Sequence, residues 1–129
     1  TDPVQAVDFS KRTGIDIFAV AIGTSHGFYK GEPKLDFELL KTIASETPLP
    51  LVLHGGSGVP DETVRKTIAL GIRKVNFATE LRAAATEAVR EALKDESVID
   101  PKKYMGKART AVKELTKQKI LLCGSENKA

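Results

Sequence analysis

Three short apolar runs, each separated from the next by a stretch with helical spacing, constrain most strongly what this chain can fold into. Ile15 to Ile22 is continuous apart from Asp16 and rich in β-branched residues, which suits a strand buried on both faces. The second run is 51–54, and the third is Ile72 to Phe77, with Val75 its clearest apolar member. Helical patterns lie around them. Asp2 caps a helix with Pro3 in its first turn, Val4, Val7 and Phe9 facing one way, and a stop near Gly14. Asp36 caps a second, on Phe37, Leu40, Ile43 and Ala44, which Pro48 and Pro50 break. Val64, Ile68 and the flanking Leu70 mark a third, ended by Gly71. A longer helix runs from about Glu80 to Leu93 on Leu81, Ala84, Ala85, Ala88, Val89 and Ala92. The last opens at Asp100-Pro101 with Tyr104, Ala108, Ala111, Val112 and Leu115 on one face, and residues 119–129 read as a tail. The order is α-β-α-β-α-β-α-α, which indicates a parallel sheet with right-handed crossovers.

All three strands carry polar chemistry at their carboxyl ends. The first runs into Gly23-Thr24-Ser25-His26-Gly27, the third into Asn76-Phe77-Ala78-Thr79. The second runs into His54-Gly55-Gly56-Ser57-Gly58 and then Val59-Pro60-Asp61. Glycines there permit backbone angles a side chain forbids, and let N–H groups converge on an anion beside the Ser57 hydroxyl. Pro60 suits a first helical position, and a helix start adds unpaired N–H groups and partial positive charge. The plainer reading is a tight strand-to-helix turn with a half-buried histidine. His26 and His54, the only histidines, fall on adjacent strands, a placement that suits a zinc-type ion, although catalytic zinc takes three protein ligands. Glu80 is a third candidate in principle; a ligand from outside these residues is the better one. Taken singly, each histidine reads first as a structural or hydrogen-bonding group; their parallel placement is what favours the metal. Asn76 and Thr79 can bond a phosphate, or Thr79 can simply cap the helix beginning at Glu80. Lys30 reads as a solvated loop residue, and nothing around Lys74 marks it as a Schiff-base amine.

This pattern suits the last three strands of a (β/α)8 TIM barrel, whose active sites lie on the carboxyl-terminal rim with phosphate groups at the late loops. A complete barrel takes roughly 250 residues, about twice the 129 present, so a fragment of a larger barrel is expected. Net charge is only +3, from 20 basic and 17 acidic residues, with no arginine-rich run, which argues against nucleic acid. No apolar stretch is long enough for a membrane span. The single cysteine, Cys123, excludes an internal disulfide, fits a reducing cytoplasmic setting, and reads as a packed or incidental thiol.

Four segments together resemble the class II, zinc-dependent ketose-bisphosphate aldolases. They are Ala21-Ile22-Gly23-Thr24-Ser25-His26-Gly27, 30–37 (Lys-Gly-Glu-Pro-Lys-Leu-Asp-Phe), 52–58 (Val-Leu-His-Gly-Gly-Ser-Gly) and 74–81 (Lys-Val-Asn-Phe-Ala-Thr-Glu-Leu). The likeness spans the chain, including the Asp100-Pro101 helix start and the closing Gly124-Ser125-Glu126-Asn127-Lys128-Ala129. It implies a zinc enzyme that reversibly cleaves fructose 1,6-bisphosphate into dihydroxyacetone phosphate and glyceraldehyde 3-phosphate, a step of glycolysis and gluconeogenesis. Tagatose 1,6-bisphosphate is the alternative substrate. His26 and His54 would be two of three zinc ligands. Gly27, Gly55, Gly56 and Ser57 would contact dihydroxyacetone phosphate, with Asn76, Phe77, Ala78 and Thr79 completing that site. The family's third histidine and its catalytic aspartate lie in an amino-terminal half that these residues do not contain; neither Asp16 nor Asp36 matches, so no catalytic residue is assigned in this chain. A homo-oligomer is expected. The rival readings are a metal-free phosphate-handling barrel enzyme and an inactive phosphate-binding fragment.

Overall fold

The computed structural model describes residues 1–128; Ala129, the last residue of the closing run, lies outside them. The chain divides into two compact units, Thr1–Phe77 and a second beginning at Ala78.

The first unit holds α1 (Pro3–Thr13), β1 (Phe18–Ala19), α2 (Phe37–Glu46), β2 (Leu51–Leu53), α3 (Asp61–Ala69) and β3 (Ile72–Val75). The strands form one parallel sheet in the order β1-β2-β3. Local chemistry explains the helix starts: the Asp2 carboxylate accepts from Gln5 N–H and the Asp36 carboxylate from Leu39 N–H, both at 2.9 Å. Gly14 ends α1 in the left-handed region. Pro60 lies one position earlier than expected, at the N-cap of α3, and makes no side-chain cap.

Core packing corrects two expectations. Val4 is 75% and Phe9 47% exposed, and the face of α1 that is buried is that of Ala6 and Ser10. Small residues let α1 approach the core closely, while Phe9 lies against Phe18 with ring centroids 5.5 Å apart. β1 is shorter than the apolar run and is not buried on both faces: Val20 and Ile22 are buried, but Ile17 is 43% exposed. Covered and exposed residues alternate along 17–22, so one face of this segment is shielded and the other is not. The core joins Val20, Ile22, Leu51, Leu53 and Ile72 to Ala6, Leu40 and Ile43 from the helices. β2, the central strand, is buried at all three positions.

Between β1 and α2 the chain makes a loop closed at its neck, where Asp36 N–H donates to the Ile22 carbonyl at 2.9 Å. A Cβ on Gly23 would run into the Lys34 carbonyl oxygen, so only glycine fits that neck.

The second unit is α4 (Thr79–Ala92) followed by α5 (Pro101–Leu122), with Asp100 capping α5 through Lys102 N–H at 2.9 Å. The expected apolar faces of both helices are those shielded from solvent, α4 offering alanines and α5 burying Ala108 and Leu122. Residues expected as a tail continue α5 as far as Leu122. Thr79 is the first residue inside α4, not its cap; Ala78 holds the N-cap position without a side-chain bond. No helix among the described residues is long and apolar enough to cross a membrane.

Candidate functional site

The site is built where the sheet ends. β2 pairs with β3 as Leu51↔Ile72, Val52↔Lys74 and Leu53↔Val75, with an irregularity between Leu51 and Val52 that leaves Arg73 as the extra residue. Uninterrupted pairing from Leu51↔Ile72 would set His54 opposite Val75. The extra residue moves β3 by one position, and one step beyond Leu53↔Val75 then brings Asn76 level with His54. Asn76 N–H donates to the Leu53 carbonyl at 3.0 Å, fixing that level. The side chains meet as a result: Asn76 Nδ2 lies 2.8 Å from His54 Nδ1. Lys74 Nζ donates to Asn76 Oδ1 at 2.6 Å, so a lysine, an amide and an imidazole form one line.

The glycine turn is wedged between its neighbours. Gly55 has φ +68°, and a Cβ there would overlap the Ser25 carbonyl oxygen. Gly56 meets the other side: its N–H donates to the Asn76 carbonyl at 3.1 Å, and a Cβ would sit 2.7 Å from Val75 Cγ1 and 3.1 Å from Phe77 Cε1. The turn after β2 is therefore in backbone contact with the segments after β1 and β3. Ser57 is 3% exposed.

The same contact brings the two histidines together. Their exposed imidazoles have centroids 5.7 Å apart, with ring planes at 62°. Zinc bonds to imidazole nitrogens of about 2.0–2.1 Å hold two such centroids roughly 5–6 Å apart, so the pair fits two positions of a zinc ion. Among the described residues, no cluster of three or more His, Cys, Asp or Glu side chains is placed to hold a metal. Glu80, the in-principle third ligand, is ion-paired with Lys119 at 2.8 Å within the second unit.

Gly27 follows His26 with φ +97°. Phe77 lies against Gly56, while Ala78 and Thr79 follow it in the chain and open the second unit. Lys30 is exposed in the loop, and Lys74 is engaged by Asn76. Burial raises the Cys123 thiol above its ordinary pKa, against a smaller opposing effect of Lys119, which disfavours the reactive thiolate. The sequence reading passed over one residue: Tyr29, whose hydroxyl donates to the Gly55 carbonyl at 2.9 Å and accepts from Ser25 N–H at 3.0 Å. The signal available was an aromatic residue three positions after His26, within reach of its own loop.

The class this defines is a parallel α/β protein with a histidine pair and a glycine turn at the carboxyl ends of its strands. The chain belongs to the family described as Fructose-bisphosphate aldolase class-II, whose profile it matches over residues 1–128. It is 48% identical to a fructose-bisphosphate aldolase of Staphylococcus epidermidis, over 99% of this chain and 45% of that protein. A Staphylococcus aureus fructose-bisphosphate aldolase is 47% identical over the same shares. The chain thus spans about half the length of the curated relatives it matches. Among solved structures, the YdjI aldolase from Escherichia coli K12 superposes with a TM-score of 0.88 at 43% identity, over 100% of this chain and 46% of that one. A Campylobacter jejuni fructose-bisphosphate aldolase shares the fold, with a TM-score of 0.84 at 21% identity, over 100% of this chain and 47% of that one.

Proposed function

We propose that these residues form the carboxyl-terminal part of a (β/α)8 barrel that cleaves fructose 1,6-bisphosphate reversibly into dihydroxyacetone phosphate and glyceraldehyde 3-phosphate with the help of zinc. The observation that carries this reading is the His26–His54 pair, 5.7 Å apart beside a glycine turn on adjacent parallel strands. Family membership and the fructose-bisphosphate aldolases of Staphylococcus support the substrate over its tagatose counterpart.

His26 and His54 hold two positions of the metal. The chemistry zinc supplies there when bound is polarisation of the substrate's ketone oxygen as a Lewis acid. Gly27, Gly55, Gly56 and Ser57 orient dihydroxyacetone phosphate; the missing Cβ atoms at Gly55 and Gly56 let the turn close against Ser25, Val75 and Phe77, which holds it in place for that contact. Asn76 brings an amide to the histidine edge of the site, and Phe77, Ala78 and Thr79 continue that wall in sequence. The third ligand and the group that moves the substrate's proton come from residues beyond these. On this reading the protein works as a homo-oligomer in the cytoplasm, where a lone thiol such as Cys123 stays reduced.

The test pairs an intact mass of the purified protein with an assay of the same sample. A mass near twice 13.9 kDa, or a second polypeptide of similar size, is expected, together with cleavage that a chelator removes and added zinc restores. Full activity insensitive to chelator would sink the zinc reading. An active single species of 13.9 kDa would overturn the assignment of the proton-moving group to other residues.

A further inference from the structure

We propose that Tyr29 is the positioning residue of the histidine pair: its one hydroxyl ties the loop carrying His26 to the loop carrying His54 and sets the spacing of the two imidazoles. The paired register of β1 and β2 ends at Ala19↔Val52, and after Ile22 the first chain turns away to meet Asp36. The histidines lie beyond that point, so strand pairing does not itself set their distance. Tyr29 supplies a tie there. A phenol hydroxyl has one proton to give and lone pairs to accept. It gives the proton to the Gly55 carbonyl, one residue after His54, and accepts from the Ser25 amide, one residue before His26. Both bonds are of ordinary length, 2.9 and 3.0 Å.

The bond to Ser25 also closes the segment His26-Gly27-Phe28 into a small ring, since Tyr29 lies four residues on from Ser25. The phenol is seated by packing: a Cβ on Gly58 would lie 3.3 Å from Tyr29 Cδ2, so the aromatic edge rests on the glycine turn. A rotamer held at the ring and at the hydroxyl is a rigid tie between two loops that otherwise only touch, at Gly55 and Ser25. Its role as a metal-site positioner rests on the zinc reading above; the tie itself does not.

The experiment compares the intact protein with its Tyr29→Phe variant, which keeps the ring and its packing. Three measurements are made: zinc affinity by chelator competition, the visible spectrum of the cobalt-substituted protein, and amide exchange at Ser25. The expected result is zinc binding about 10- to 100-fold weaker, the range for lost supporting bonds around metal ligands. A shifted cobalt spectrum and faster Ser25 exchange accompany it. Zinc affinity within twofold of the parent with an unchanged cobalt spectrum would overturn the proposal. If the parent binds no zinc, the zinc reading fails and with it the positioning role, while protection of Ser25 lost in Tyr29→Phe still separates that failure from the absence of the tie. Should the variant not fold, the parent decides: an unprotected Ser25 amide overturns the proposal, and a protected one supports it.

Discussion

Lys74 can only donate, so the Asn76 oxygen must face it, and the amide nitrogen is left to face His54. An amide nitrogen donates, and Nδ1 of His54 therefore accepts. The neutral imidazole then carries its proton on Nε2, and the Nδ1 lone pair is engaged by Asn76, a bond the amide must release before that nitrogen takes a metal. Nitrogen chemical shifts of the metal-free protein are expected to show His54 Nδ1 unprotonated and Nε2 protonated. Replacing the lysine, Lys74→Met, frees the amide to turn over and should yield a mixture of both tautomers. A single tautomer with Nδ1 protonated in the parent would refute the chain of donors. Both histidines and Asn76 could be singled out in sequence because they fall at or just beyond the ends of apolar runs, and the structure brings the three side chains together. The role of Lys74 was not, since in sequence it is one cation among 20; it meets the amide because residues two apart on an extended segment share a face.

That irregularity shows what separates element from residue. Asp2, Asp36 and Asp100 announced three helix starts correctly, because a cap is a contact within three or four residues. The alternation of strands and helices gave the parallel order for the same reason. The extra residue at Arg73 has no local signature, since it is decided by pairing with β2. Exposure of Val4 and Phe9 was likewise hidden, because periodicity names a face but not what covers it. Glycines offer a matched comparison at this scale. Gly14 and Gly55 have nearly the same φ, +63° and +68°, but a Cβ meets nothing within 4 Å at Gly14 and overlaps the Ser25 carbonyl at Gly55. Gly14→Ala should cost about 1–2 kcal/mol of stability, the backbone strain alone. Gly55→Ala should cost more than that and abolish most cleavage activity, since the two histidine loops must part. Chemical denaturation of both variants, beside the assay, checks the ordering; equal costs would mean the loop contact is soft. A core control, Leu40→Ala, should cost about 2–5 kcal/mol, because Leu40 is fully buried.

At the scale of the whole molecule, the chain matches about half the length of its relatives and falls into two units, each with its own packing. Cys123 reports on the second. Burial holds its thiol protonated to higher pH than in the unfolded chain, whose thiol ionises near about 8.5. The unfolded form therefore loses its proton first as pH rises, and the second unit's stability should decline above that value. Alkylation at pH 8 is accordingly expected to be slower in the native protein than in denaturant; equal rates would show the thiol to be free. A last consequence follows from the closed neck at Ile22–Asp36. The neck is fixed by a backbone bond and by a glycine that admits no substitute, and Tyr29 anchors the loop again just before the exposed tip at Lys30-Gly31-Glu32. Such a tip, unlike the part of the loop that carries His26 and Tyr29, is where a changed side chain disturbs the fold least. A substitution of the exposed Glu32 should therefore leave stability within about 0.5 kcal/mol of the parent in chemical denaturation.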